Sequence, residues 1–485
     1  MHDSTDSLAV ALSPLKEVAT SERWATAEEL QRRGTRRRRR RRITLLTGGT
    51  SIGLAVILVV ALLALPGSEG PTPVVAQGVQ PVAGPFDSIH LVVAPNGPRI
   101  SATRTNEREI TKAEEAFALE LTRLELAGSS GGNVLLSPMS ADLALAMVEL
   151  GAAGATQREI ATTLQSTGLS ATNQAAALHE LVDQLTSGGS AGEVKVANSL
   201  WVELGLRVEA PYLRQAAEAF GNQTYQVNFA SSAATQAINA WVSRETAGHI
   251  RQLFRPGDLP LDADLVIANA LRFHAAWQRG LLNTAALTPE PFFEANGAKV
   301  SVPMLVESRN VLAYAKTNAY NAVQLPYTNG RFAALLVEPK SGSVGTFLQT
   351  LRPGTLSKIA DSVRLGHVIL TMPSLTLSTR ESLNEPLSDM GLAGLFQSAD
   401  LSPMLGAANG AQQLALVEQA ASLRVNDWGT EAAAATGIVF VPSSGEAMNP
   451  PPPSIIFNHP YLFLIRDTTT GAILFSAVVN DPTAG

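Results

Sequence analysis

Residues Gly429 to Gly437 read Gly-Thr-Glu-Ala-Ala-Ala-Ala-Thr-Gly, a run of small residues interrupted by one charge, and continue into Ile438-Val439-Phe440-Val441-Pro442. Extended, the stretch alternates with period two, so Thr430, Ala432, Ala434, Thr436, Ile438 and Phe440 share one face while Glu431 points the other way. That face is slim enough to slide between two existing strands with the charge left in water. Helical, Thr430 or Gly429 would be the N-cap and the alanines strong helix formers. Composition alone favours the helix, because alanine is depleted in strands.

The rest of the chain limits what such a segment can serve. With 485 residues, 45% of them hydrophobic, a large core is available. The net charge of -6 hides an asymmetry: residues 1–42 carry eleven basic and six acidic side chains, which leaves -11 for the remainder. The globular part is acidic, which speaks against nucleic acid as a partner. Cysteine is absent, which excludes disulfides and thiolate chemistry. The histidines, at 2, 90, 179, 249, 274, 367 and 459, show no metal-binding spacing. No HExxH or P-loop motif occurs, and the Gly-x-Ser-x-Gly spacings at residues 49–53, 128–132 and 188–192 fall in glycine-rich stretches that offer no nucleophile elbow, so no enzyme class, metal or cofactor is indicated.

Ile43 to Leu65 is an uncharged span of 23 residues, preceded by nine arginines within residues 32–42. At about 1.5 Å per residue it is long enough to cross a bilayer core of about 30 Å. The arginines would hold the N-terminus in the cytoplasm and send everything after Leu65 outside. The alternative is a cleaved signal with Ile52 to Leu65 as its core, which would give a secreted protein. The expected organisation is a cytoplasmic tail (1–42), a transmembrane signal anchor (43–65), a Pro/Gly-rich stalk (66–109) and a folded domain (110–485). Within that domain, helical spacing dominates to about Leu185 and strands follow. Helical patterns at Pro211–Ala219 and Thr235–Ala247 interrupt them. Val363–Leu377 and Ser454–Asn480 read as long strands, with turns at Gly366 and at Thr469-Thr470-Gly471. Helices first and sheets later fit an α+β class.

Six segments stand in a telling order around the small-residue run. Asn133-Val134-Leu135-Leu136-Ser137-Pro138-Met139-Ser140 leads into an apolar helix; then come Gly154-Ala155-Thr156-Gln157-Arg158-Glu159-Ile160, Val196-Ala197-Asn198-Ser199-Leu200-Trp201-Val202, Ile267-Ala268-Asn269-Ala270-Leu271-Arg272-Phe273 with Trp277, and Gln324-Leu325-Pro326-Tyr327. Phe457-Asn458-His459-Pro460-Tyr461-Leu462-Phe463-Leu464-Ile465-Arg466-Asp467 closes the set. Together they resemble the serpin family of serine protease inhibitors, over about Ile110 to Pro482.

The resemblance implies helices packed on a large, mainly antiparallel sheet with smaller sheets and an exposed reactive loop, here residues 427–454. It turns the reading of the alanine run from helix to strand: the cleaved loop enters the main sheet and traps the attacking protease as an acyl-enzyme. A strand from Thr430 to Ser443 would extend about 46 Å at about 3.3 Å per residue. It also implies a hinge at Asp427, Gly429, Thr430, Glu431, Ala432, Ala433, Ala434, Ala435 and Thr436. Asp427 stands where the family generally has glutamate, and bulky Trp428 should lie outside the inserting strand. Ser137, Ser140, Asn269 and Gln419 would form the polar cluster where the sheet opens, with Gln419 replacing the family's usual histidine. Trp277 would pack where the loop first enters.

Counting forward from the hinge puts the scissile bond at Ser443-Ser444. Counting back from Phe457 reaches Asn449, with Met448 as an alternative bait, so the loop is longer than usual and Pro450–Pro453 can span the surplus as polyproline. A small residue after Pro442 points to an elastase-like or subtilisin-like serine protease held in a covalent complex by a monomeric inhibitor. A non-inhibitory binding or structural role on the same fold, or inhibition of cysteine proteases, remains open at this level.

Overall fold

The computed structural model describes residues 80–81, 90–91, 102–186, 193–221, 223–278, 281–282, 289–308, 310–328, 330–430 and 451–484. The chain divides into two units, Met1–Pro73 and Val74–Gly485, and every described residue belongs to the second. The expected anchor at 43–65 therefore lies outside the described residues. Among the described residues no helix is long and apolar enough to cross a membrane.

The main sheet has eight strands: β1 (Gln80–Pro81), β2 (His90–Leu91), β3 (Glu193–Glu203), β4 (Thr224–Val227), β5 (Leu265–Ala276), β6 (Leu375–Ser382), β7 (Leu414–Val425) and β8 (Gly429–Thr430). Their spatial order is β1-β2-β4-β3-β5-β8-β7-β6, and β5 also pairs directly with β7. Most pairings are antiparallel; β3 with β4 and β5 with β7 are parallel. A seven-stranded sheet centres on Phe332–Pro339, Tyr461–Asp467 and Ile473–Val479, and a four-stranded sheet carries Ser454–Ile456 at one edge. The seven-stranded sheet holds the two apolar C-terminal strands Tyr461–Asp467 and Ile473–Val479, buried along their whole length.

Helices α1 (Arg104–Gly128), α2 (Pro138–Glu149), α3 (Gly154–Thr163) and α4 (Ala171–Thr186) come first in the chain, and α5 (Ala210–Phe220) and α6 (Ser232–Glu245) interrupt the strands. Strand alternation splits the core between the two faces of the main sheet. Leu200 and Val202 on β3 join the cluster around α1, α2 and α4. Trp201 between them joins Tyr225, Trp241 and Ile238 on the opposite face, stacked on Tyr225 at 4.5 Å. On β5, Ala268 and Ala270 belong to this second cluster, so Asn269 between them faces α2. That alternation aims the polar residues of the site.

Several boundaries differ from the sequence reading. The folded domain's first helix starts at Arg104 rather than Ile110, because the Thr103 side chain accepts a hydrogen bond from Asn106 N and caps it. Gln80–Pro81 and His90–Leu91, placed in the stalk by composition, pair as short strands at the edge of the main sheet. Gly366 is no turn: it lies inside the strand Arg364–His367, opposite Leu312. The expected long strand Val363–Leu377 is three strands serving three different sheets, separated at Val368 and Ser374.

Candidate functional site

At the top of the main sheet the chain leaves β7, turns through Asn426, Asp427 and Trp428, and returns as β8. Thr430 pairs antiparallel with Val425 of β7 and with Ala275 of β5, and Gly429 with Ala276. The turn is closed by Asn426, whose N–H donates to Gly429 O at 3.1 Å. Its side-chain oxygen accepts from the N–H groups of Trp428 at 2.9 Å and Gly429 at 3.2 Å. Asparagine suits this place because its amide can replace missing backbone partners in a turn. Gly429 is required by close approach: a Cβ there would lie 2.1 Å from Ala275 O and 2.7 Å from Ala276 Cα.

Thr430 is 1% exposed. Its hydroxyl lies 2.7 Å from the Tyr327 hydroxyl. Burial pushes the Tyr327 phenol well up, opposed in part by the Thr430 bond, which keeps it a neutral O–H. Tyr327 stacks on Trp277 at 4.5 Å and nearly parallel, and packs edge-on against Phe273. Trp277 Nε1 donates to Asn426 O at 2.7 Å, and Trp277 N to Trp428 O at 2.8 Å. The tryptophan thus packs at the mouth of the gap and bonds the turn at both ends. Trp428 lies outside the strand with its ring partly exposed, as its place in the sequence predicts.

Lower down, Ser137, Ser140, Asn269 and Gln419 come together beneath β5 and β7, all buried. Gln419 and Asn269 are register partners across the β5–β7 pair. Gln419 Oε1 accepts from Ser137 N at 2.7 Å, and Gln419 Nε2 donates to Ser137 O at 2.9 Å and to Asn269 Oδ1 at 3.2 Å. Asn269 Nδ2 donates to Ser140 O at 3.4 Å. The Ser137 hydroxyl accepts from Ser140 N and caps α2, with Pro138 in its first turn. Gln419 binds donor and acceptor at once, so its own hydrogen bonds close without a titratable partner.

Asn198, Tyr327 and Asn426 were missed as site residues. Asn198 is paired with Asn269 across β3–β5, and the Ser140 hydroxyl lies 3.1 Å from its amide. Asn198 and Tyr327 stand inside segments that carried the resemblance, but only the fold reveals their partners. Asn426 had a local signal, a turn-forming residue just before a bulky pair and a glycine. Glu431, Ala432, Ala433, Ala434, Ala435, Thr436, Ser443, Ser444, Met448 and Asn449 lie outside the described residues. Among the described residues no group of His, Asp or Glu side chains could hold a metal ion.

A family model described as Serpin (serine protease inhibitor) matches residues 112–482. The chain is a serpin. This serpin is 31% identical over 383 residues to Iripin-2 of Ixodes ricinus, covering 77% of the chain and 94% of Iripin-2. It is 31% identical over 441 residues to Serpin A11 of Rattus norvegicus, covering 88% and 98%. Human glycosylated kallistatin shares its fold with a TM-score of 0.70 at 25% identity, over 78% of this chain and 99% of kallistatin. Thyroxine-binding globulin in complex with thyroxine does so with a TM-score of 0.68 at 25% identity, over 77% and 99%. That neighbour holds thyroxine on the same fold, so the fold alone does not decide whether a chain that has it inhibits proteases.

Proposed function

We propose that this serpin is a suicide-substrate inhibitor of extracellular serine proteases of the elastase or subtilisin kind, with Ser443-Ser444 as the bait bond and Met448-Asn449 as the alternative. The attacked loop enters the main sheet as a new strand before water can free the acyl-enzyme, and carries the protease with it. The observation that supports this reading is the seated hinge. Gly429 and Thr430 already occupy the gap between β5 and β7, antiparallel to both, which is the orientation a returning loop must take. The residues that would follow on the inward face, Ala432, Ala434 and Thr436, are small. Each can pass without burying a charge, which would cost several kcal/mol. The polar cluster of Ser137, Ser140, Asn269 and Gln419 lies where β5 and β7 must part, and its hydroxyls and amides can exchange partners as they do.

In this reading residues 43–65 anchor the chain in the cell membrane, the N-terminus stays cytoplasmic, the serpin domain is extracellular, and no cofactor takes part. The absence of lysine and arginine from Gly429 to Pro460 disfavours trypsin-like targets, whose pocket requires a basic side chain. The experiment incubates the purified chain with subtilisin and with an elastase. An SDS-stable covalent complex is expected with at least one, and loop cleavage by a non-target protease should raise the melting temperature sharply. Thr430→Arg places a charge beside Tyr327 and Trp277 and should turn the inhibitor into a substrate. Full complex yield from that variant contradicts the insertion mechanism, and a cleaved form that melts no higher than the intact one points to a binding or structural role.

A further inference from the structure

The seated rung fixes the register of everything that would follow it. Thr430 opposes Val425 on β7 and Ala275 on β5, so an antiparallel continuation brings Glu431 opposite Arg424 on one side and His274 on the other. Carried further, the same count puts Thr436 opposite both Gln419 and Asn269. Those two residues are themselves register partners, so the three pairings agree. The direct pairing of β5 with β7 ends at Ala420 and Ala270. Above that point, among the described residues, only β8 lies between the two strands, so the first residues of an inserting strand would have no such pair to break.

Thr430, Val425 and Phe273 are buried inward, so Arg424 and His274 lie on the outer face of the sheet, the face that alternation would give Glu431 once the strand continued past Thr430. Arg424 is exposed and His274 half-buried there. We propose that Arg424 and His274 form a receiving site for the Glu431 carboxylate, which docks between them as the first charged group of the cleaved loop to enter the sheet. The guanidinium supplies a full positive charge and the imidazole a hydrogen-bond donor, and cross-strand neighbours of opposite charge stabilise a sheet. Docking there favours insertion in its race with hydrolysis at the rung where the strand is committed but no β5–β7 hydrogen bond has yet been broken. This site rests on the inhibitor reading.

The test is a charge swap on the full chain, with subtilisin or elastase as the attacking enzyme, whichever forms the complex. Arg424→Glu and Glu431→Arg should each raise the stoichiometry of inhibition, by roughly two- to five-fold for a partly exposed pair. Each should also lower the melting temperature of the loop-cleaved form without moving that of the intact form. The double variant Arg424→Glu/Glu431→Arg should recover most of both losses, and added salt should narrow the differences. Single variants that match the wild type, or a double variant as impaired as the sum of the singles, overturn the receiving site while leaving the inhibitor reading intact. Loop cleavage that raises no variant's melting temperature, the wild type included, overturns both.

Discussion

Gly429 is the residue with least freedom in the site, because the backbone of β5 occupies the space a side chain would need. Gly429→Ala should drive the rung out of the sheet. The expected loss is about 1–3 kcal/mol of intact-state stability by urea denaturation, as for other overpacked positions. Faster cleavage of the loop by a non-target protease should accompany it. Gln419 is bound differently: its amide joins β7 to the start of α2 and to β5 through three hydrogen bonds. A strand passing between Gln419 and Asn269 separates them and must offer polar replacements. In the proposed register Thr436 arrives in that row, and a hydroxyl can both donate and accept. The residue types of the site were legible in sequence through the family resemblance. The bonds that tie Gln419 to Ser137 and Asn269, and Asn269 to Ser140, join segments more than a hundred residues apart, and no local pattern encodes those.

Among the elements, α2 departs most from its sequence pattern. Read as an apolar helix, it is buried on every side and carries two carboxyls into the core, Asp142 and Glu149. Neither Asp142 oxygen has a hydrogen-bond partner. Burial, reinforced by Glu149, pushes Asp142 up to about 8, so at neutral pH it is mostly a neutral acid. Its folded value lies above its unfolded one, so what it contributes is present below about pH 4 and is lost as pH rises through about 8. Asp142→Asn removes that loss. The variant should melt higher than the wild type at pH 8.5, by at least about 2 °C, and the gap should close or reverse at pH 5. A gap independent of pH in thermal melts contradicts the assignment. The main-sheet strands, by contrast, followed their alternation, because each has two different faces to satisfy. Strand ends were less legible where the chain passes from one sheet to another, as at Val368 and Ser374.

At the scale of the molecule, raised carboxyls set the pH response. Burial pushes Glu125, Glu149, Glu338 and Glu418 to about 7, and raises Glu114 and Glu381 as well. Between about pH 4.5 and 8 the folded chain therefore holds more protons than the unfolded one, and stability declines as pH rises across that window. Thermal melts should show a higher midpoint at pH 5 than at pH 8, and a midpoint rising toward pH 8 would contradict this balance. Composition, with its excess of acid, gives no hint of that sign, because it depends on which carboxyls are buried. By itself the sequence determined the family and the α+β class, and it supplies the small residues at every second position of the hinge, since residue type at fixed spacing is a local property. Only the tertiary structure decided that β8 is already seated between β5 and β7, and in which register. That choice rests on contacts among Asn426, Trp277, Tyr327 and Ala275, which the fold brings together from distant parts of the chain.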